Sequence, residues 1–145
     1  MLVLPTGQVL FGDGTRQLWV YTPDTGVVPA ARPVINGVTY KGGGMFTLTG
    51  KQINGQSAGS SYGDDVASDE NHPIIRMVSS NGNVYYCRTT NWSSTAVAGG
   101  SALQSVDFTL KPGMPAGNYS LILTGAGIPS FPLFINITQA EVNGQ

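Results

Sequence analysis

The sequence predicts an all-β protein, an antiparallel sandwich of about seven strands preceded by a short strand segment of a different kind. Three observations predict it. Twenty glycines and nine prolines, with many Ser, Thr and Asn among them, cut the chain into short apolar runs. No window carries apolar residues at 3, 4 and 7 spacing over three helical turns. The runs alternate instead: Val106, Phe108 and Leu110 share one face, with Asp107 and Thr109 on the other, which is the period-two pattern of a half-buried strand.

The 145 residues suffice for one domain with a core that needs no disulfide or metal staple. Seven basic and eight acidic side chains leave a net charge of −1, and the Lys and Arg residues are scattered. Neither a nucleic-acid surface nor an anionic-membrane surface is expected from that distribution. Charged residues are only 10 % of the chain, against about 25 % in an average soluble domain. The surface must therefore be built from Ser, Thr, Asn, Gln and Gly, a composition that suits an extracellular or secreted β-protein. No apolar run approaches the roughly 20 residues that span a bilayer. Met1-Leu2-Val3-Leu4 lacks the basic start and length of a signal peptide, so an export signal would lie outside this sequence. The single cysteine, Cys87, excludes an intrachain disulfide and reads as a small buried apolar residue on a strand.

Taken in order, residues 1–22 read as three short strands joined by the glycine-bearing turns at 5–8 and 12–15. Alone these strands would have open edges and an uncovered apolar face, so they are expected to pack on the following domain, a second copy of the chain or a missing partner. Pro23-Asp24-Thr25-Gly26 is a turn signal opening a linker. From residue 32 the spacing becomes that of a sandwich, with strands expected at 33–40, 45–50, 74–79, 84–89, 105–110, 117–124 and 131–138. Tyr119, Leu121 and Leu123 should face one way. Phe131, Leu133, Ile135 and Ile137 share period two on the last strand. The strongest local signal is the pair 74–78 and 84–88 around Asn81-Gly82, which suits a type I′ hairpin. The tail at 139–145 is expected to be loose.

Several segments together resemble a known family. They are Phe-Thr-Leu-Thr-Gly-Lys-Gln-Ile-Asn-Gly at 46–55, Ser-Tyr-Gly-Asp-Asp at 61–65, Asn-His-Pro-Ile-Ile-Arg at 71–76, Val-Tyr-Tyr-Cys-Arg-Thr-Thr-Asn-Trp-Ser at 84–93 and Pro-Ala-Gly-Asn-Tyr-Ser-Leu at 115–121. Residues 32–138 resemble the immunoglobulin-like, E-set C-terminal domain that follows a kelch propeller in galactose-oxidase-like and glyoxal-oxidase-like proteins. Leu-Pro-Thr-Gly-Gln-Val-Leu-Phe-Gly-Asp-Gly at 4–14 looks like the strands of a kelch blade, so residues 1–31 are read as propeller-like strands and linker. In the oxidases of that family the sandwich contributes one copper-ligating histidine from a loop. By strand order that loop corresponds to 88–93, where this chain has Thr89, Thr90, Asn91 and Trp92 and no histidine. The resemblance thus implies an accessory domain rather than a copper-radical enzyme, with no cofactor or metal expected.

The remaining candidates are weaker than their structural alternatives. Asp64, Asp65, Asp69 and Glu70 could gather oxygen ligands for Ca²⁺, but aspartates in loops more often cap turns. His72, the only histidine, has no evident convergent partners. Gly55-Gln56-Ser57-Ala58-Gly59 matches a nucleophile-elbow string with no strand-to-helix elbow around it. Tyr62, Trp92 and Trp19 could stack on sugar rings, although aromatics in β-proteins are more often packing residues. Asn91, Asn118 and Asn136 head glycosylation-type triplets. The expectation is a non-catalytic module acting in packing, assembly or partner contact, self-associating or meeting a propeller through residues 1–22. A carbohydrate-binding or adhesion module using Tyr62, Asp64, Asp65 and Trp92 is the alternative, and a subunit completing an oxidase site is the third.

Overall fold

Glycine-bearing turns set the first sheet. In the computed structural model, which describes residues 2–24, 26–56 and 72–144, β1 (Leu2–Val3), β2 (Val9–Gly12) and β3 (Leu18–Tyr21) form an antiparallel three-stranded sheet in that order. Gly7, at φ 83°, closes the first turn by donating its N–H to the Leu4 carbonyl at 2.9 Å. Asp13 closes the second: its carboxylate accepts from the Thr15 amide at 3.0 Å and the Thr15 hydroxyl at 2.6 Å.

After a 3₁₀ turn at Pro29–Ala31, eight more strands follow: β4 (Val34–Gly42), β5 (Met45–Lys51), β6 (Ile74–Ser79), β7 (Val84–Thr90), β8 (Leu103–Thr109), β9 (Gly117–Gly125), β10 (Ile128–Pro129) and β11 (Leu133–Ile137). They make an all-β, antiparallel, sandwich-like fold, as the sequence predicts. The hydrogen-bonded path runs β10-β9-β6-β7-β8-β5-β4, with β11 also on β9. That path folds back on itself because β7 changes partner along its length. Tyr85, Tyr86 and Cys87 pair with β6, whereas Arg88, Thr89 and Thr90 pair with β8.

The layers close over one core. Phe46 and Leu48 of β5 and Val106 and Phe108 of β8 meet Ile75 and Met77 of β6 and Leu121 and Leu123 of β9. All eight are at most 4 % exposed; burying such a side chain contributes about 1.5–3 kcal/mol. Phe46 and Phe108 stack with ring centroids 5.3 Å apart. Tyr119, buried as its period demands, donates its hydroxyl to the Pro115 carbonyl at 2.6 Å. This bond, back to the backbone four residues upstream, ties the β8–β9 crossover down in the manner of a tyrosine corner.

Three local expectations are corrected. The 79–83 hairpin is not type I′: only Gly82 has a positive φ, 86°, and Gly82 N–H bonds the Ser79 carbonyl while Ser79 N–H bonds Asn83. This is a three-residue loop, a type I turn followed by a left-handed glycine. The two-residue turn with both central φ positive occurs instead at Ala126 (45°) and Gly127 (80°), between Gly125 and its partner Ile128. Phe131 is 75 % exposed rather than part of the last strand. The ladder breaks there: the Ser130 hydroxyl accepts the Leu123 N–H, Pro132 has none to give, and Phe131 turns out under the Arg32 guanidinium, 4.7 Å from its ring. Finally, the tail forms α1 (Gln139–Asn143), started by a capping box in which the Thr138 hydroxyl accepts from Glu141 N–H and the Glu141 carboxylate accepts from Thr138 N–H.

The first sheet is seated on the β9–β10 turn. Gly7 lies so close to the Gly127 carbonyl that a Cβ on it would stand 2.8 Å from that oxygen, and Val3 fills the space a Cβ on Gly127 would need. The Thr124 hydroxyl donates to the Pro5 carbonyl at 3.4 Å.

Candidate functional site

Three regions of the surface carry more than scaffolding. The first is the end of β7. Trp92 is 38 % exposed, donates its indole N–H to the Thr89 hydroxyl at 3.3 Å and stacks on His72 at 5.3 Å with 26° between the rings. His72, which shows no convergent partners in the sequence, has an aromatic ring as its neighbour at the sheet end. Tyr62, Asp64 and Asp65, the other candidates, lie outside the described residues, as do Asp69, Glu70 and Ser57.

Beside Trp92 lies a group the sequence did not single out. Asp107 stands on the outer face of β8, opposite Thr47 on β5 and Thr90 on β7. It is only 5 % exposed. A single layer of side chains covers it: the Thr47 hydroxyl donates at 2.5 Å, and the Asn91 carboxamide and Lys41 ammonium each donate at 3.0 Å. The Thr47 and Asn91 hydrogen bonds, then Lys41, hold its carboxyl below the usual carboxylate range. Asn91 reaches it by adopting a left-handed φ of 51°, which asparagine tolerates. All of the carboxylate's partners are donors from this chain, so the cluster fastens the 88–93 loop rather than presenting a base to solvent. Of the two residues at the positions where the resemblance would place a copper ligand, Asn91 is bonded to Asp107, whereas Trp92 stays exposed against Thr89 and His72.

The second region is a groove of about 510 Å³ on the outer face of β6, β9 and β11, lined by Val78, Ser120, Asn118, Asn136 and the 77 %-exposed Phe134 among others. Asn136 donates its carboxamide to Asn118 across the strands at 2.8 Å.

The third is β3. Leu18 is 72 %, Trp19 48 %, Val20 54 % and Tyr21 51 % exposed. Alternate residues of a strand point to opposite faces, so both faces of β3 are open and apolar, and one edge pairs with β2 while the other has no strand partner among the described residues. The Trp19 indole is held by Asp13 at 3.4 Å, fixing the ring rather than leaving it to collapse. Arg16 and Asp24 flank the strand, and neither forms an ion pair among the described residues.

Chemically, the described residues hold no group of three metal-ligating side chains. Cys87 is 5 % exposed, lies 3.6 Å from the Met77 sulfur, and has its pKa pushed up to about 11 by burial, so it is a packing residue and no nucleophile at neutral pH. No helix among the described residues is long and apolar enough to cross a membrane. No family model matches the chain, and no curated protein is similar to it.

Proposed function

We propose that the chain is a non-catalytic β-sandwich module whose task is assembly, with the N-terminal strands as its contact surface. One observation carries this reading: β3 exposes four consecutive large apolar side chains and an open edge. Soluble proteins normally blunt such an edge with charge, proline or a covering element, and an exposed apolar patch of this kind marks an interaction site. The side chain of Asn91, spent on Asp107, supports an accessory domain of the galactose-oxidase-like kind over one that completes an oxidase site. Its setting would be extracellular.

Sedimentation velocity from micromolar to millimolar protein tests the reading, with the chain alone and mixed with a galactose-oxidase-like propeller domain. Association in either format, lost in Val20→Lys with unchanged melting temperature, is expected. Monomers in both formats would refute it.

A second reading is favoured by the exposed Trp92–His72 stack: a carbohydrate-binding module, in which the indole would stack on a sugar ring. Binding on a glycan array that disappears in Trp92→Ala is its test.

A further inference from the structure

We infer that the occupant of the β3 edge is a second copy of this chain, paired antiparallel about a two-fold axis through Val20, so that two three-stranded sheets become one of six. The inference rests on the assembly reading above and adds the partner and the register.

Backbone geometry restricts the choice. Along an edge strand, alternate residues spend their N–H and C=O groups on the inner neighbour and the others direct theirs outward. Directly opposed residues of an antiparallel pair either exchange both hydrogen bonds or neither. When β3 pairs with itself, each opposed couple must therefore be of the same kind, so their residue numbers differ by an even amount. Only registers centred on a residue survive. Centred on Trp19, Arg16 faces Thr22 of the other copy; centred on Tyr21, Leu18 faces Asp24.

Centred on Val20, the charged and aromatic residues find complements, with Leu18 facing Thr22. Trp19 faces Tyr21 twice, placing aromatic pairs across the seam, and Arg16 faces Asp24 twice, matching the two charges that stand without ion-pair partners among the described residues at opposite ends of the strand. A two-fold operator makes one surface complementary to itself, and a strand with a cation at one end and an anion at the other meets that condition only when antiparallel.

The area sets the strength. Full burial of an aromatic side chain covers about 150–250 Å², and about half of each of the four side chains is open; edge pairing leaves the sheet faces open, so it buries at most roughly 400 Å² per copy against the ~800 Å² of a standard interface. The dimer is therefore reversible, with a dissociation constant in the micromolar range or weaker.

Charge exchange and cysteine trapping test it together. Arg16→Asp and Asp24→Arg should each weaken self-association about ten-fold. An equimolar mixture of the two variants should associate at least as well as the natural chain, because each copy then supplies the charge the other lacks. Val20→Cys should form an intermolecular disulfide under mild oxidation, since directly opposed Cα atoms lie within bridging range, and Trp19→Cys and Tyr21→Cys should not. If Val20→Lys abolishes self-association but the charge variants leave it unchanged, or trapping favours position 19 or 21, the register is wrong and the assembly surface stands. If the chain binds a propeller domain yet remains monomeric alone, the second copy is excluded. Monomers in both formats remove the inference and the assembly reading together.

Discussion

Replacing Asp107 tests whether the outer face of the sheet is held by this one carboxylate. A hydrogen bond to a charged group contributes about 1.5–3 kcal/mol, and Asp107 accepts three. The Lys41 side chain is 49 % exposed, so its share falls to the surface scale of about 0.2–1 kcal/mol, and the freed Thr47 and Asn91 groups recover part of theirs from water. Asp107→Ala should then cost about 3 kcal/mol at neutral pH. Asp107→Asn should cost about 1 kcal/mol, since its carboxamide oxygen still accepts from Asn91 and Lys41 while its NH₂ donates to Thr47. Urea denaturation measures both. Because the carboxyl is depressed from its ordinary 3.8, its stabilisation is present above that pH and is lost as pH falls through the lower folded value. The gap between the natural chain and the alanine variant should accordingly be constant from pH 7 to about 5 and close below 4. A gap under about 0.5 kcal/mol, or one that persists unchanged at pH 2, would refute the reasoning.

Two further outcomes follow from the geometry. Ala126 holds a left-handed φ of 45° that costs a non-glycine residue roughly 1–2 kcal/mol; Ala126→Gly should gain about 0.5–1 kcal/mol after the extra unfolded-state entropy is counted, read as a raised urea midpoint. For Cys87, a thiol reagent should label the folded chain only at the rate of unfolding. Since its folded pKa lies above the unfolded 9.0, stability should be flat below pH 9 and fall between pH 9 and about 11, a decline absent in Cys87→Ala.

Features with local causes were legible. The strand at 74–79 was placed to the residue because β-branched residues end at a turn signal, and the inward faces of 106–110 and 119–123 followed from alternation. Features set by distant partners were not. Asp107 reads as a solvent-facing residue of its strand; it does face outward, but its cover comes from Lys41, 66 positions earlier, and from Asn91. Asn81-Gly82 has the composition of a type I′ turn, yet the ladder resumes one residue later than that turn allows. Ala126-Gly127, with no such composition, takes the tight geometry because β9 and β10 bracket it. Thr138 and Glu141 spell a capping box in plain sequence, but the five-residue helix after it is too short to show a helical period. For the candidate site, Trp92 could be named from its type, but its stacking on His72, twenty positions away, could not.

The change of partner along β7 bears on how the molecule comes apart. Its first half is stitched to one layer and its second half to the other by main-chain hydrogen bonds, with Cys87 at the crossover. Neither layer can be peeled away while the other stays intact, since this single ribbon would have to be torn from both. Loss of structure should therefore occur in one step, with no half-opened sandwich accumulating on the way.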